Sequence, residues 1–249
     1  MKTVKDLNKV FMKLTKEELK KFNWFENRLS RYRYKIMINY CAKLIPQNSK
    51  VLELGCGHGY VSAMLKILRP DINILTTDCI SNSSIHSRVW ELLRKEFEFK
   101  FKFEDGTNLS FDNNSFEVVI SFGVMEHADN PAKFLSEVYR VLKIEGLNIM
   151  FNLPNRYSLN DFMAKMLNQK GHDIRYTKKE VRNTFRKKGF KNIKVRRDSF
   201  IPAQTDRVNI RFISDIFNKH FKTLNKIDSL LLKTPLSLFS QAYSIIAKK

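Results

Sequence analysis

The chain has 249 residues, 43% of them hydrophobic and 28% charged, with 3 cysteines and a formal net charge of +20. That length and apolar content support one large folded domain and exclude a wholly disordered chain. Cys41, Cys56 and Cys79 are too few for a disulfide framework and form no C-x-x-C pair, so no metal is expected; no uninterrupted apolar run reaches the ~18 residues of a membrane span.

Residues 4–45 read as helical. Thr15 followed by Glu18 has the spacing of a capping box, ahead of Leu19, Phe22, Trp24 and Phe25, and a second periodic stretch over 29–44 stops at Pro46. The period then changes. Residues 50–54 predict a short strand closing on Gly55, and 60–68 the helix after it. A second strand over 72–77 ends at Asp78, and a helix follows over 84–95. Residues 97–103 alternate phenylalanine with charge, as a half-buried strand does, and 116–122 form a continuous apolar strand. A helix over 130–142 carries Pro131 in its first turn, and 147–153 is the next strand. Strands alternating with helices at this spacing imply parallel pairing in a sheet covered on both faces. Beyond Pro154, helices are expected over 158–167, 178–188 and 205–232, and strands over 191–200 and 242–247.

Charge is unevenly spread: residues 1–48 carry a net +8, 49–153 a net −3 and 154–249 a net +15. Attraction to an anionic group would act through the two flanks and weaken with salt.

The most informative stretch is Glu53-Leu54-Gly55-Cys56-Gly57-His58-Gly59, which leaves a strand and opens a helix. Glycine there permits a tight turn and lets a ligand approach main-chain N–H groups at a helix N-terminus. A dinucleotide fingerprint needs glycine at its sixth position, where Tyr60 stands instead. Asp78, at the end of the second strand, is placed to accept both ribose hydroxyls of a nucleoside. Glu104-Asp105-Gly106 follows the third strand. Three carboxylate sites with no Lys or Arg in the loop suit a neutral or cationic nucleoside better than a pyrophosphate. Opposite charges in a partly buried cleft attract by on the order of a few kcal/mol.

Further motifs follow in order: Asp105-Gly106-Thr107-Asn108-Leu109-Ser110-Phe111, Asn114-Ser115-Phe116-Glu117-Val118-Val119, Gly123-Val124-Met125-Glu126-His127, Phe134-Leu135 and Tyr139-Arg140-Val141-Leu142-Lys143. With the glycine loop and Asp78, this series resembles the class I S-adenosylmethionine-dependent methyltransferases, in particular the small-molecule branch with quinone- and glycan-modifying members. The resemblance covers residues 36–153, and 178–200 more loosely. It implies a doubly wound, Rossmann-like α/β fold whose mainly parallel, seven-stranded sheet has one antiparallel strand, 242–247, hairpinned against 191–200. The expected organisation is a helical N-terminal cap over 1–48, a core over 49–153, and a substrate-side segment over 154–249 with lid helices and the last two strands.

The cofactor implied by the resemblance is S-adenosyl-L-methionine. Glu53, Gly55 and Gly57 would line its methionine part, with Cys56 and Gly59 in the same loop. Asp78 would hold the ribose, Asp105 and Gly106 the adenine, and Cys79 and Ile80 would flank the ring. Ser121 and Phe122 would lie beside the sulfonium. Ser110 stands where the branch usually has proline, and Glu117 where it usually has aspartate.

Methyl transfer needs nucleophile, methyl carbon and sulfur held in line, and a hydroxyl nucleophile must also lose a proton. His127, at the carboxyl end of the fourth strand, is the first candidate base. His172 is the second, since the neighbouring Asp173 could orient its imidazole and raise its basicity. Asn155, Arg156 and Tyr157, just past the fifth strand, are placed to bind substrate, Arg156 through a carboxylate or phosphate. Arg186-Lys187-Lys188 and the run 194–197 read as an exposed helix end and strand face, so no nucleic-acid partner is expected. Phe212, Ile213, Ile216, Phe217, Phe221 and Leu224 repeat at helical spacing and read as a buried or lid face. The Met1-Lys2 start lacks the apolar core of a signal peptide, which makes the cytoplasm the expected location. The resulting expectation is methylation, at oxygen, of a small or medium substrate bearing an anionic group, such as a sugar or biosynthetic intermediate. The alternatives are a lipid or quinone precursor met at a membrane surface by peripheral contact, then RNA, and, from a different class, a non-enzymatic S-adenosylmethionine-binding protein.

Overall fold

Strands β1 (Lys50–Leu54), β2 (Asn73–Asp78), β3 (Lys100–Phe103), β4 (Phe116–Phe122) and β5 (Leu142–Pro154) are mutually parallel, and β7 (Ala242–Lys248) runs antiparallel between β5 and β6 (Lys191–Asp198). The sheet order is β3-β2-β1-β4-β5-β7-β6. This is the doubly wound, seven-stranded α/β architecture that the strand–helix alternation and the resemblance imply. The computed structural model describes residues 2–21, 28–166, 171–201 and 211–249, with the backbone alone at 16, 20, 21 and 211–214. Phe22, Trp24, Phe25, Leu167 and the start of the helix expected over 205–232 lie outside the described residues, as do the side chains of Phe212 and Ile213.

Helices α1 (Val4–Met12), α2 (Lys16–Lys21), α3 (Arg28–Leu44), α4 (Tyr60–Leu68) and α5 (Arg88–Phe97) precede β3; α6 (Pro131–Val141) lies between β4 and β5. After β5 come α7 (Leu159–Met166), α8 (Lys178–Lys187), α9 (Arg211–Lys219) and α10 (Phe221–Leu231). Local chemistry sets several of these ends. The Thr15 amide donates to Glu18 Oε2 at 2.7 Å while the Glu18 amide donates to Thr15 Oγ1 at 3.2 Å, the capping box expected from the spacing. Asn130 accepts from the Lys133 amide at 3.0 Å, with Pro131 next to it at the first helical position. Thr177 and Glu180 cap α8 in the same reciprocal way.

Side chains alternate across the sheet with period two. Val51, Val118, Ile120, Ile149 and Phe151 face the layer built by α1, α3, α4 and α5, where Leu7, Val10, Ile38, Cys41, Leu65 and Leu93 are buried. Leu52, Leu54, Val119, Met150 and Leu153 face α6 and α8 through Phe134, Leu135, Val138, Val181 and Phe185. Two boundaries differ from expectation. The strand read over 97–103 begins at Lys100, because Phe97 closes α5 in the core and Glu98 turns the chain in the left-handed region (φ 49°). The strand read over 147–153 starts at Leu142, which pairs with Phe116 ahead of an irregularity in register.

The amino-terminal helices are tied to the far end of the chain. Arg33 on α3 and Asp228 on α10 form an ion pair at 3.0 Å with both side chains buried. Asp228 Oδ1 also accepts from the amides of Phe200 (2.8 Å) and Ile201 (2.6 Å), and Arg33 donates to the Ile201 carbonyl at 2.6 Å. Breaking such a pair from one side strands a charge in a low-dielectric interior. Arg33→Ala is therefore expected to cost about 3 kcal/mol of stability by urea denaturation, and a loss below about 1 kcal/mol would show that the pair does not hold α3 in place.

Candidate functional site

The site begins where β1 ends. Gly55, Gly57 and Gly59 all take positive φ (67°, 50° and 79°), so the chain reverses within a few residues and enters α4. A Cβ on Gly55 would stand 2.5 Å from Val124, so the loop after β1 packs against the loop after β4 with no room for a side chain. At Gly57 the reverse holds: a Cβ would meet nothing within 4 Å, because the position faces open space. The Gly57 amide donates to Asp78 Oδ2 at 2.7 Å, joining the ends of β1 and β2, and Asp78 also accepts from the Cys79 amide at 2.8 Å and from Asn82.

This open space is a cleft of about 910 Å³ over the carboxyl ends of β1, β2 and β4. Its wall includes the backbone of Gly55, Gly57 and Gly106 and the carboxylates of Asp78, Glu104, Asp105 and Asp129, with no lysine or arginine among the lining residues. Ile80 and Phe103 line it although they are 71% and 50% exposed, leaving two apolar surfaces at its mouth. The carboxylates are not equivalent. Glu104 is engaged by Lys102 at 2.7 Å and by the Ser110 amide at 2.9 Å, and Asp105 accepts from the Thr107 amide at 2.8 Å.

A second, smaller cavity of about 260 Å³ adjoins the first. Phe122, Gly123 and His127 line both. Phe122 stacks on Phe151 at 4.7 Å and on Tyr34 at 6.2 Å, which makes the neck between the cavities aromatic. The inner cavity is polar: Arg33 and Tyr34 from α3, Glu126 and His127 from the short turn after β4, Asn152 from β5, Asp161 from α7, and His172. Asn152 donates to the Tyr34 hydroxyl at 3.1 Å, and burial pushes that phenol up to about 12. Burial likewise raises the Glu126 carboxyl to about 7. Burial, and secondarily the nearby His172, hold the His127 imidazole below its ordinary value, so it is a neutral proton acceptor at neutral pH.

The residues singled out from sequence distribute unevenly over this geometry. Gly55, Gly57, Asp78, Cys79, Ile80, Asp105, Gly106 and Phe122 line the large cleft. Glu53, Cys56, Gly59 and Ser121 do not. Glu53 is buried beneath the loop, accepts from the Ser62 hydroxyl, and is raised by burial to about 7. Gly59 backs onto the Trp90 and Phe99 rings. His127 and His172 meet in the inner cavity. The carboxylate that orients His172 is not Asp173 but buried Asp161, whose Oδ1 lies 3.1 Å from Nδ1. Asn155, Arg156 and Tyr157 line neither cavity. Asn155 is fully buried, donating to the carbonyls of Leu238 (2.8 Å) and Ser240 (2.7 Å) and accepting from the Tyr243 hydroxyl at 2.8 Å. Arg156 pairs with Glu180 at 2.9 Å on the surface, and Tyr157 is exposed. Ser110 and Glu117, the two departures from the family pattern, are accounted for: Ser110 holds Glu104, and Glu117 accepts from the Lys50 amide at the opposite end of the sheet.

Sequence reasoning gave no role to Arg33, Tyr34, Glu126, Asn152 or Asp161. Only Glu126 carried a local signal, as a carboxyl group next to a candidate base immediately after an apolar strand.

Residues 52–150 match a family model described as a methyltransferase domain. That match, over about two fifths of the chain, identifies residues 52–150 as a methyltransferase domain. The chain is 29% identical over 136 residues to 2-methyl-6-phytyl-1,4-hydroquinone methyltransferase of Synechocystis, covering 51% of this chain but only 42% of that relative. An uncharacterized protein of Methanocaldococcus jannaschii is 27% identical over 218 residues, covering 83% and 78% of the two chains. Among solved structures, phosphoethanolamine N-methyltransferase 2 of Haemonchus contortus, in complex with phosphomonomethylethanolamine and S-adenosylhomocysteine, superposes with a TM-score of 0.60 at 16% identity, over 87% of this chain and 52% of that one. At that identity the likeness is one of fold.

The large cleft suits S-adenosyl-L-methionine on its own chemistry. Asp78, whose oxygens accept from Gly57, Cys79 and Asn82, would have to share them with ribose hydroxyls, Ile80 and Phe103 would offer apolar faces to a purine, and a carboxylate-lined wall without Lys or Arg among the described residues would suit a sulfonium. The space over Gly57 is what a bound methionine moiety would fill. Gly57→Arg is expected to fold, at about 1 kcal/mol for a left-handed residue, and to abolish calorimetric binding of S-adenosylhomocysteine; unchanged affinity would contradict this placement.

Proposed function

We propose that the protein methylates a small substrate at oxygen, using S-adenosyl-L-methionine held by Gly55, Gly57, Asp78, Cys79, Ile80, Asp105, Gly106 and Phe122. One observation carries this reading: the cofactor-sized cleft and the inner cavity share Phe122, Gly123 and His127, so a methyl group in one can reach a nucleophile in the other. The bound sulfonium would supply an electrophilic methyl carbon and a good neutral leaving group. The chain must align the acceptor and receive its proton, and orientation alone can lower the barrier by several kcal/mol.

An inner cavity of about 260 Å³ favours a small acceptor over a polymer. Its polar wall supports an oxygen nucleophile, because Glu126, His127 and His172 are all groups able to take a hydroxyl proton. Arg33 lines the same wall, but its guanidinium is held by Asp228 and the Ile201 carbonyl, so it lends the substrate no free charge. Asn155, Arg156 and Tyr157 stay outside this reading of the pocket.

A second reading has support of its own. Phe162 and Met166 on α7, Leu230 on α10 and Phe239 after it are exposed by 59%, 71%, 63% and 43%. They lie in the segment of net charge +15, and apolar side chains set among basic ones suit a membrane surface and a lipid or quinone precursor.

Incubation with labelled methyl donor and fractionated host extract tests the proposal. Label is expected in a small, polar product. Label in the lipid extract, together with sedimentation on anionic liposomes, would replace the first reading by the second.

A further inference from the structure

Glu126 is the group in the paired cavities that packing leaves least explained. It sits in the short 3-10 turn Met125–His127 directly after β4, 7% exposed, and its Oε2 is buried without a hydrogen-bond partner among the described residues. Its position is at the neck. Gly123 lines both cavities, and a Cβ built on Gly123 would stand 3.4 Å from Glu126 Oε1. A polar group buried without a partner costs free energy; of the neighbouring groups Asp161 has His172 and Tyr34 has Asn152, while Arg33 Nε and Gln241 Nε2 on the same wall share the condition of Glu126.

The titratable groups acting on it come from every element around it. Tyr34 reaches the cavity from α3, His172 and Tyr176 lie on the stretch between α7 and α8, His127 follows on the same turn, and Arg33 lines the same wall with its charge committed to Asp228. Burial opposes the ionised carboxylate most strongly and brings the group to about 7, while its own backbone amide and, after it, His172 favour ionisation. A carboxyl that changes charge near neutrality is suited to taking a proton during turnover and releasing it afterwards.

We propose that Glu126, rather than His127, receives the proton of the methyl acceptor. This rests on the methyltransferase reading above and adds a specific acceptor group to it. A lone pair of the substrate oxygen forms the new O–C bond as the S–C bond breaks, with that electron pair leaving on sulfur; the hydroxyl proton passes to the Glu126 carboxylate. His127, which lines both cavities, is not the group that takes the proton in this step.

The test compares wild type, Glu126→Gln, Glu126→Asp and His127→Ala, each saturated with S-adenosylhomocysteine or supplied with labelled donor and the extract fraction that accepts methyl. Infrared difference spectra of wild type against Glu126→Gln should show a protonated carboxyl band that disappears as pH rises through about 7. Glu126→Gln should bind S-adenosylhomocysteine within about threefold of wild type while transferring methyl roughly 100-fold more slowly, without the rise in rate across that pH range. Glu126→Asp should restore part of the pH dependence, and His127→Ala should keep all of it. A Glu126→Gln protein that turns over within about threefold of wild type, or a His127→Ala protein that loses the pH-dependent limb, overturns the assignment. Failure of the wild type to bind S-adenosylhomocysteine would instead bring down the methyltransferase reading, and this proposal with it.

Discussion

Because β1 pairs in parallel with β2 on one side and β4 on the other, all three strands must end at the same edge of the sheet, and three chain reversals must share that edge. The space there is small. Gly55 has no room for a side chain beside Val124, and Gly57 turns its amide onto Asp78. What is left between the reversals is a cleft walled by main chain, short acidic side chains and apolar ones such as Ile80, Phe103 and Phe122. The site is therefore a consequence of strand direction, and the residues that decorate it are those that strand ends and first helical turns can present.

Electrostatics divides that space into two rooms with different tasks. The larger is lined by carboxylates, of which Glu104 is paired with Lys102, and no lysine or arginine lines it among the described residues, an environment that favours a cation and disfavours a pyrophosphate. Glu53 contributes less to this than its place in the motif suggests, since burial keeps it partly protonated near neutrality. The smaller room mixes an arginine, two histidines, a tyrosine and carboxyl groups, which can recognise a polar molecule and move a proton. Phe122, stacked between Tyr34 and Phe151, makes the aromatic partition between them, and an aromatic face is a favourable neighbour for a sulfonium methyl.

The large room was legible from sequence because its determinants are local. The alternate glycines, the strand-ending Asp78 and the Asn130-Pro131 helix start each need only a few neighbouring residues to be read. The small room was not, because its wall is assembled across the chain. Arg33 and Tyr34 enter from a helix before the sheet and face Asn152 and Gln241, more than a hundred positions away. His172 finds its carboxylate in Asp161 on the preceding helix, not in the adjacent Asp173, since neighbours in a loop need not point the same way. Asn155 looked available just past β5, yet the return of β7 beside that strand buries it under Ser240 and Tyr243. The alternation of phenylalanines over 97–103 is shared between a helix end and a short strand, and period alone does not separate the two.

Titration calorimetry of the whole chain against S-adenosyl-L-methionine and, in parallel, a nicotinamide dinucleotide addresses the central claim most directly. The account predicts saturable one-to-one binding of the sulfonium nucleoside, competed by S-adenosylhomocysteine, and no heat from the dinucleotide. Tight binding of the dinucleotide with none of the sulfonium compound would contradict it.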